Sequence, residues 1–176
     1  MKTSVFCGTS LDRFIAREND GLDFLPDDPG EGHGYMEFYE TVDVMIIGRR
    51  LYDVALSFGS WPYGKKPVFV LSSKELAPAP EGANIERLSG TPAEVLAEVE
   101  ARGYQHAYVD GGITIQRFLN AGLIDSLIVT TVPVLIGNGI PLFGPLDHDV
   151  RLRHVSTKTL SSGCVQSEYA VIGGRP

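Results

Sequence analysis

The chain alternates short apolar runs with amphipathic helical patterns through its first two-thirds, and this order strongly limits the folds open to it. The apolar runs cover residues 5–7, 44–47, 68–71, 85–88 and 107–109, and the helical patterns cover 35–41, 51–56, 92–102 and 114–120. Such alternation is typical of an α/β domain with a largely parallel sheet. In the last third, strand patterns at 126–134, 151–159 and 163–172 have no useful helix between them, which predicts an antiparallel ending.

The composition predicts one domain over residues 1–176, because 43% hydrophobic side chains suffice for a complete core. No apolar run approaches the length of a membrane span, about 20 residues, and the apolar start is too short for a secretory signal, so we expect a cytoplasmic protein.

The net charge of −7 argues against nucleic acid or an anionic membrane as a partner. Cys7 and Cys164 lie in strand patterns and are expected to be buried free thiols, while the scattered histidines predict no metal site.

Paired glycines follow the strand pattern at 107–109 almost directly, and a helical pattern begins after them. Gly111 and Gly112 have no Cβ, so the backbone there can adopt a positive φ and approach a ligand closely. The helix that follows would aim free N–H groups and its positive dipole end at an anion. By itself, however, a Gly-Gly turn is more often a tight turn that binds nothing.

Two other strand patterns end in groups that suit a phosphate. Gly48-Arg49-Arg50 offers a turn glycine and two guanidinium groups, and Ser72-Ser73-Lys74 offers hydroxyls and an ammonium group. Each motif alone is better explained by a solvated arginine pair or an ordinary strand exit. Ligands of open α/β sheets gather beyond the carboxyl ends of the strands, so these ends together predict a site for a phosphorylated cofactor.

Four blocks of the sequence resemble the dihydrofolate reductase superfamily. Residues 10–19 resemble its first strand exit with the loop over the nicotinamide, 44–49 and 68–73 resemble two of its strands, and 109–112 resemble its Gly-Gly turn against the cofactor. The longer pattern that continues through 118–125 to 133–143 is more similar to the reductase domain of bacterial riboflavin biosynthesis. The resemblance implies a dihydrofolate-reductase-like three-layer α/β fold, with a mostly parallel central sheet and an antiparallel C-terminal hairpin.

The resemblance also implies NADPH as the cofactor. The segment around Gly8 and Ile15 would line the nicotinamide, the arginine pair would face the adenosine 2′-phosphate, and the start of the helix after the paired glycines would hold the pyrophosphate. The predicted cofactor-binding residues, from the resemblance and the strand ends together, are Gly8, Ile15, Ala16, Gly48, Arg49, Arg50, Ser72, Ser73, Lys74, Gly111, Gly112, Ile113 and Thr114.

The substrate side is less determined by the sequence. Folate reductases hold the pteridine with a carboxylate on their first helix, and the matching region, 27–40, aligns here only with gaps. The candidates for that acid are Asp27, Asp28, Glu31 and Glu37; we take Glu37 and Asp28 as catalytic candidates, against the alternative of exposed surface carboxylates. The aromatic loop at 57–64, which contains Trp61, is predicted either to stack on a flat heterocycle or to cover the edge of the core.

The leading function is therefore NADPH-dependent hydride transfer to a flat nitrogen heterocycle or its ribosyl derivative, with 5-amino-6-(5-phosphoribosylamino)uracil as the first substrate candidate. The zinc deaminase motifs of the bifunctional riboflavin enzyme are absent from the sequence, so we expect a stand-alone reductase-like domain. Folate reduction is the alternative on the same fold, and a non-catalytic nucleotide-binding or interaction protein is the alternative of another class. A homodimer through residues 133–143 is expected from the resemblance alone.

Overall fold

The computed structural model describes residues 1–26 and 32–173. Within that part, the helices are α1 (Tyr35–Thr41), α2 (Arg49–Leu56), α3 (Pro92–Ala101) and α4 (Gly112–Asn120), and a short 3₁₀ turn at Gly32–Gly34 precedes α1. The strands are β1 (Lys2–Thr9), β2 (Phe14–Ala16), β3 (Val44–Gly48), β4 (Val68–Leu71), β5 (Ile85–Leu88), β6 (His106–Asp110), β7 (Ser126–Thr131), β8 (Ile140–Pro141), β9 (Arg151–Thr159) and β10 (Val165–Ile172).

Eight of these strands form one sheet in the order β5-β4-β3-β6-β1-β7-β10-β9. The first six are parallel to one another, while β10 runs antiparallel to β7 and β9 runs antiparallel to β10. The predicted parallel sheet with an antiparallel C-terminal hairpin is therefore confirmed. A second sheet of β2 and β8 was not predicted, since strands of two or three residues carry no readable alternation.

Helices cover both faces of the large sheet and produce three layers. On one face, α3 and α4 bury apolar side chains such as Val99 and Phe118 against the sheet. On the other face, α1 and α2 bury Phe38 and Tyr52. The α3 helix follows the predicted helical pattern, and Thr91 and Glu94 form a reciprocal capping box at its N-terminus.

The aromatic loop at 57–64 belongs to the α1/α2 face of the core. The Trp61 ring packs edge-on against Tyr52 at 5.9 Å and Tyr63 at 5.1 Å between ring centroids. Of the two predicted roles for this loop, the structure favours covering the edge of the core.

The two central strands separate before either of them ends. β1 pairs with β6 only from Lys2↔His106 to Ser4↔Tyr108. Beyond that point β1 stays paired with β7, and β6 stays paired with β3 as far as Asp110. A cleft therefore opens at the carboxyl edge of the sheet, where ligands of open α/β sheets bind.

Three further expectations concern the chain as a whole. Cys7 and Cys164 are both buried free thiols, as predicted. None of the described helices is long and apolar enough to cross a membrane. Leu135 and Phe143 in the segment assigned to dimerisation are exposed, and the homodimer remains a prediction.

Candidate active site

A cavity of about 550 Å³ fills the cleft between β1 and β6 and extends over the N-termini of α2 and α4. Its size is that of a typical small-molecule site. Ten of the predicted cofactor-binding residues line it, namely Gly8, Ile15, Ala16, Gly48, Arg49, Arg50, Gly111, Gly112, Ile113 and Thr114. The cavity has two parts, which we call the helix-end half, around the starts of α2 and α4, and the aromatic half, around Phe6, Tyr35 and Tyr108.

In the helix-end half, two helices begin side by side at glycines. Gly48 is the N-cap of α2 and Gly111, with φ 97°, is the N-cap of α4, so neither helix receives a side-chain cap. A Cβ at Gly48 would lie 2.7 Å from Thr114 Oγ1, and a Cβ at Gly111 would lie 3.6 Å from Gly48 N. Gly48 thus lets the two helix starts approach, and Gly111 allows the positive φ of the turn; the N–H groups of the first turns are not capped by an N-cap side chain.

Gly112 packs against the two-stranded sheet of β2 and β8 at one side of the helix-end half. A Cβ there would lie 3.1 Å from Pro141 O and 3.2 Å from Ile15 Cδ1, tighter than ordinary packing. Backbone N–H groups and helix dipoles that converge in this way make a cradle that fits the phosphates of a dinucleotide cofactor.

Three guanidinium groups accompany this cradle. Arg49 Nε lies 3.5 Å from Asp53, one helical turn later, and Arg50 Nε lies 2.6 Å from Asp20. Arg117 of α4 also lines the cavity, although the sequence analysis did not single it out. An anion entering this half would meet arginines whose charges are already partly balanced by carboxylates.

The aromatic half is built from one face of β1 and β6 and from the inner face of α1. The Phe6 and Tyr35 rings are 5.6 Å apart, and the Tyr35 and Tyr108 rings are 6.4 Å apart, both edge-on. Leu25 lies close over Gly8, since a Cβ at Gly8 would be 2.9 Å from Leu25 Cδ2.

Asp110 is the acid of this half, where the two parts of the cavity meet. Its Oδ1 accepts a hydrogen bond from Gly111 N at 2.7 Å, and its Oδ2 lies 2.8 Å from the Tyr108 hydroxyl. The same hydroxyl lies 2.7 Å from Phe6 O, on the stretch of β1 that no longer pairs with β6. Because the hydroxyl has one proton and Phe6 O can only accept, both short contacts are satisfied together when Asp110 is protonated and donates to Tyr108.

Burial also favours the protonated form of Asp110. Removal from water raises the pKa of Asp110 to about 6, and the hydrogen bonds from Tyr108 and Gly111 offset only part of that rise. Burial, reinforced by the Asp110 charge, also raises the pKa values of Tyr35, Tyr108 and the neighbouring Cys7 thiol. Asp110 is therefore the group in this cluster that changes charge near neutral pH.

Asp110 lies in the block 109–112 that resembles the family's Gly-Gly turn, but the sequence analysis did not identify it as an acid of the site. A signal was present, because Tyr108 and Asp110 are two residues apart on a strand and so share a face. The Tyr52 hydroxyl does not reach this cluster: it donates to Ala77 O, and the residue is fully buried in the core.

The remaining predicted site residues lie elsewhere. Glu37 is exposed on α1, away from the face that carries Tyr35 and Phe38, and is not part of the cavity lining. Asp27, Asp28 and Glu31 lie outside the described residues. Ser72, Ser73 and Lys74 form a turn after β4, in which Ser72 Oγ accepts from Lys74 N, and only the preceding Leu71 lines the cavity.

Fold and site together define a dihydrofolate-reductase-like reductase domain. The chain belongs to the RibD C-terminal domain family, whose model matches residues 24–166. It is similar to a crystal structure from Shewanella sp. PV-4 that carries a provisional riboflavin-biosynthesis name, with 35% identity, a TM-score of 0.89, and coverage of 97% of this chain and 99% of that one.

Two more distant structures share the fold. A deaminase/5-amino-6-(5-phosphoribosylamino)uracil reductase from Thermotoga maritima is 13% identical with a TM-score of 0.71, and the match covers 97% of this chain and 56% of that one. Dihydrofolate reductase from Enterococcus faecalis, in complex with NADP(H), is 16% identical with a TM-score of 0.66, covering 97% and 96% of the two chains.

Proposed function

We propose that this protein is an NADPH-dependent reductase that transfers hydride to a flat nitrogen heterocycle or its ribosyl derivative. One observation carries the proposal: a single cavity joins the glycine-lined cradle of α2 and α4 to the raised-pKa acid Asp110. A phosphate cradle alone would suit any nucleotide-binding protein. An acid poised to change charge beside it is what a reduction that consumes a proton requires.

The cofactor assignment rests on the helix-end half. The backbone at Gly112, Ile113 and Thr114 would hold the pyrophosphate, Arg49 and Arg50 would hold the 2′-phosphate, and the segment around Gly8 would face the nicotinamide ring. NADPH bound in this way supplies the hydride, and the protein supplies position and exclusion of water. The NADP(H) complex of the Enterococcus faecalis neighbour supports this choice.

The proton is assigned to Asp110. Reduction of a carbon–nitrogen double bond adds a hydride to carbon and a proton to nitrogen, and Asp110 can donate that proton to a ring nitrogen placed against the cavity side of its carboxyl. The carboxylate that remains is stabilised by the Gly111 N–H and by the Tyr108 hydroxyl, which can turn its proton from Phe6 O to Asp110. Bulk water can then reprotonate the acid.

The comparisons support a pyrimidine as the substrate class. The riboflavin-biosynthesis name of the Shewanella structure and the uracil reductase name of the Thermotoga maritima neighbour favour a pyrimidine, either 5-amino-6-(5-phosphoribosylamino)uracil or its unphosphorylated relative. Flat rings also suit walls made of Phe6, Tyr35 and Tyr108.

The first experiment is a calorimetric titration of the protein with NADPH and with NADH. Replacement of both Arg49 and Arg50 by Ala is expected to weaken NADPH binding at least tenfold and to change NADH binding little, because only NADPH carries the 2′-phosphate. The matched control replaces Arg151 and Arg153, which are exposed on β9, by Ala. If the wild-type protein binds neither nucleotide, the proposal is wrong.

The second experiment tests the acid. Asp110→Asn is expected to lower turnover about 100-fold or more while leaving NADPH affinity within about threefold, since the acid acts in proton transfer. The wild-type rate should fall as pH rises above about 6, as the carboxyl loses its proton. Asp23→Asn, a change of the same chemistry at an exposed carboxylate outside the cavity lining, should leave the rate unchanged.

A further inference from the structure

The C-terminal hairpin reaches the cavity through one buried amide, that of Gln166 on β10. Gln166 is 7% exposed, whereas every residue of the neighbouring strand β9 is exposed. Its Nε2 donates to His33 O at 2.7 Å and to Thr130 Oγ1 at 2.8 Å. Both of these residues line the cavity, His33 in the turn before α1 and Thr130 on β7. Gln166 therefore joins two walls of the cavity.

These two contacts determine which groups donate. A backbone carbonyl group can only accept, so the Gln166 atom that faces His33 O is the amide nitrogen. The same nitrogen faces Thr130, so the Thr130 oxygen accepts and its own proton points elsewhere. Among residues 1–26 and 32–173, the Thr130 hydroxyl donates to no acceptor. The Thr130 hydroxyl thus keeps a proton that the described protein groups do not use.

That proton belongs to a side chain at the cavity wall. Thr130 is 4% exposed and lines the cavity beside Gly8, with which it is in register across β1 and β7. Residues in register on parallel strands share a face of the sheet, and Gly8 contributes no side chain to that face. A buried donor without an acceptor is unfavourable, so the Thr130 hydroxyl suits a ligand atom that accepts a hydrogen bond.

The position of Thr130 in the sheet favours the substrate over the cofactor as that ligand. The glycine cradle lies where β3 and β6 end, and the strand order continues from β6 through β1 to β7. A dinucleotide held at the cradle and extended to Gly8 would end at β1. Thr130 lies one strand further from the cradle, on β7. The acceptor is then an oxygen of the substrate, such as a ring carbonyl oxygen.

We propose that Gln166 is a positioning residue, which holds the Thr130 hydroxyl as a hydrogen-bond donor to an acceptor oxygen of the substrate. This assignment rests on the proposed function and deepens it, because it adds a neutral contact to the proton donor Asp110. Gln166 acts through Thr130 and does not touch the substrate itself. The antiparallel hairpin, which is remote from the cradle in sequence, thereby sets the hydrogen-bonding character of one cavity wall.

The first test removes the Thr130 hydroxyl. The probe is 6-(ribitylamino)uracil, a flat ring with carbonyl oxygens, and calorimetry measures its affinity for the protein saturated with NADPH. Thr130→Val keeps the shape of the side chain and is expected to weaken probe binding about tenfold. Thr130→Ser, which keeps the hydroxyl, should bind the probe within about threefold of the wild type. The matched control is Thr131→Val, because Thr131 accepts from Arg13 and is outside the cavity lining.

The second test reverses the direction of the Gln166 contact. Gln166→Glu keeps the shape but gives Thr130 a carboxylate oxygen, so the hydroxyl proton turns toward that oxygen and away from the ligand. Probe binding should weaken about as much as in Thr130→Val, and the double variant should be no weaker than either single variant. Gln166→Met, which cannot accept the proton, should weaken the probe by only about threefold, with the same lack of additivity. Melting temperatures of all variants are recorded alongside, since a purely structural role would add its effect to that of Thr130→Val.

Three results would overturn the proposal: unchanged probe binding by Thr130→Val, additive losses in the double variant, or no binding of the probe to the wild-type protein. A loss of NADPH affinity in Thr130→Val would also overturn it, because the hydroxyl would then serve the nicotinamide. The NADPH titration of the wild-type protein keeps the two proposals apart. A protein that binds NADPH normally but gives one of these results contradicts the role of Gln166 alone, whereas a protein that binds no NADPH contradicts the proposed function.

Discussion

The guanidinium group of Arg50 lies 2.6 Å from the carboxylate of Asp20, and the same side chain donates to Glu18 O at 2.9 Å. These contacts join the start of α2 to the segment after β2. Asn138, just before β8, donates to the Glu18 carboxylate at 2.8 Å. The segment after β2 therefore contacts both the start of α2 and the chain before β8. Arg50 therefore has an anionic partner that an incoming cofactor phosphate would have to replace.

Removal of that partner is expected to strengthen cofactor binding. Asp20→Asn leaves the shape of the side chain but releases the charge of Arg50, so NADPH affinity should rise about three- to tenfold, and more at low salt. Asp23→Asn is the matched control, because Asp23 pairs with Arg17 in the same segment. Weaker NADPH binding by the Asp20 variant, measured by calorimetry, would contradict a role for Arg50 in holding phosphate.

Asp110 should make the stability of the protein depend on pH in a defined direction. Its pKa is about 6 in the folded protein and about 3.9 in an unfolded chain, so between these values the folded state holds a proton that the unfolded state lacks. Stability therefore falls as pH rises from about 4 to about 6. Asp110→Asn should stabilise the protein at pH 8 by about 3 kcal/mol, measured as a higher melting temperature, and the gain should vanish near pH 4. An equal gain at both pH values would show that the carboxyl is not strained by burial.

The junction of α2 and α4 can be tested with a pair of substitutions. Gly48→Ala would place a methyl group 2.7 Å from Thr114 Oγ1, so we expect a loss of about 1 to 3 kcal/mol in the free energy of unfolding. The same change made together with Thr114→Ala should cost less, because the colliding hydroxyl is gone. Denaturant unfolding of the four proteins in the cycle measures the coupling between the two positions, and strict additivity would exclude the contact.

Lys66 is expected to be the main support of the end of α1. Its ammonium group donates to Tyr39 O at 2.6 Å and to Val42 O, and it lies 4.2 Å from the centre of the Tyr39 ring. Lys66→Met keeps the apolar stem but leaves those carbonyl groups without this donor, at an expected cost of about 1 to 3 kcal/mol. Lys65→Met, at the exposed neighbouring position, should change the melting temperature by less than about 1 °C.

The elements that depend on local chemistry could be read from the sequence. The strands at 68–71 and 85–88 follow from short-range patterns, and the structure contains them as predicted. The pairing of β2 with β8 could not be predicted, because it depends on a distant approach: a Cβ at Gly139 would collide with Ala16 O. Close contacts between remote segments leave no periodic signal in either segment.

The candidate site likewise has one part that local sequence patterns predict and one part that depends on contacts between remote segments. The cradle around Gly48 and Gly111 could be proposed from strand ends and glycines, which are local features. The character of Asp110 could not, since its raised pKa results from burial in a cluster to which remote segments contribute Phe6 and Tyr35. Ser72 resembles a ligand in sequence, but its hydroxyl is engaged with the backbone of Lys74.

The early separation of β1 from β6 also predicts where ligand binding would add protection against hydrogen exchange in the sheet. Ser4 and Tyr108 are the last residues paired between these two strands, and beyond them each strand is paired only with its other neighbour and borders the open cavity. A ligand that fills the cleft would take the place of the missing partner strand. Deuterium uptake in the peptides that contain Cys7 and Asp110 should therefore slow on binding, so a binding partner could be detected before any reaction is known.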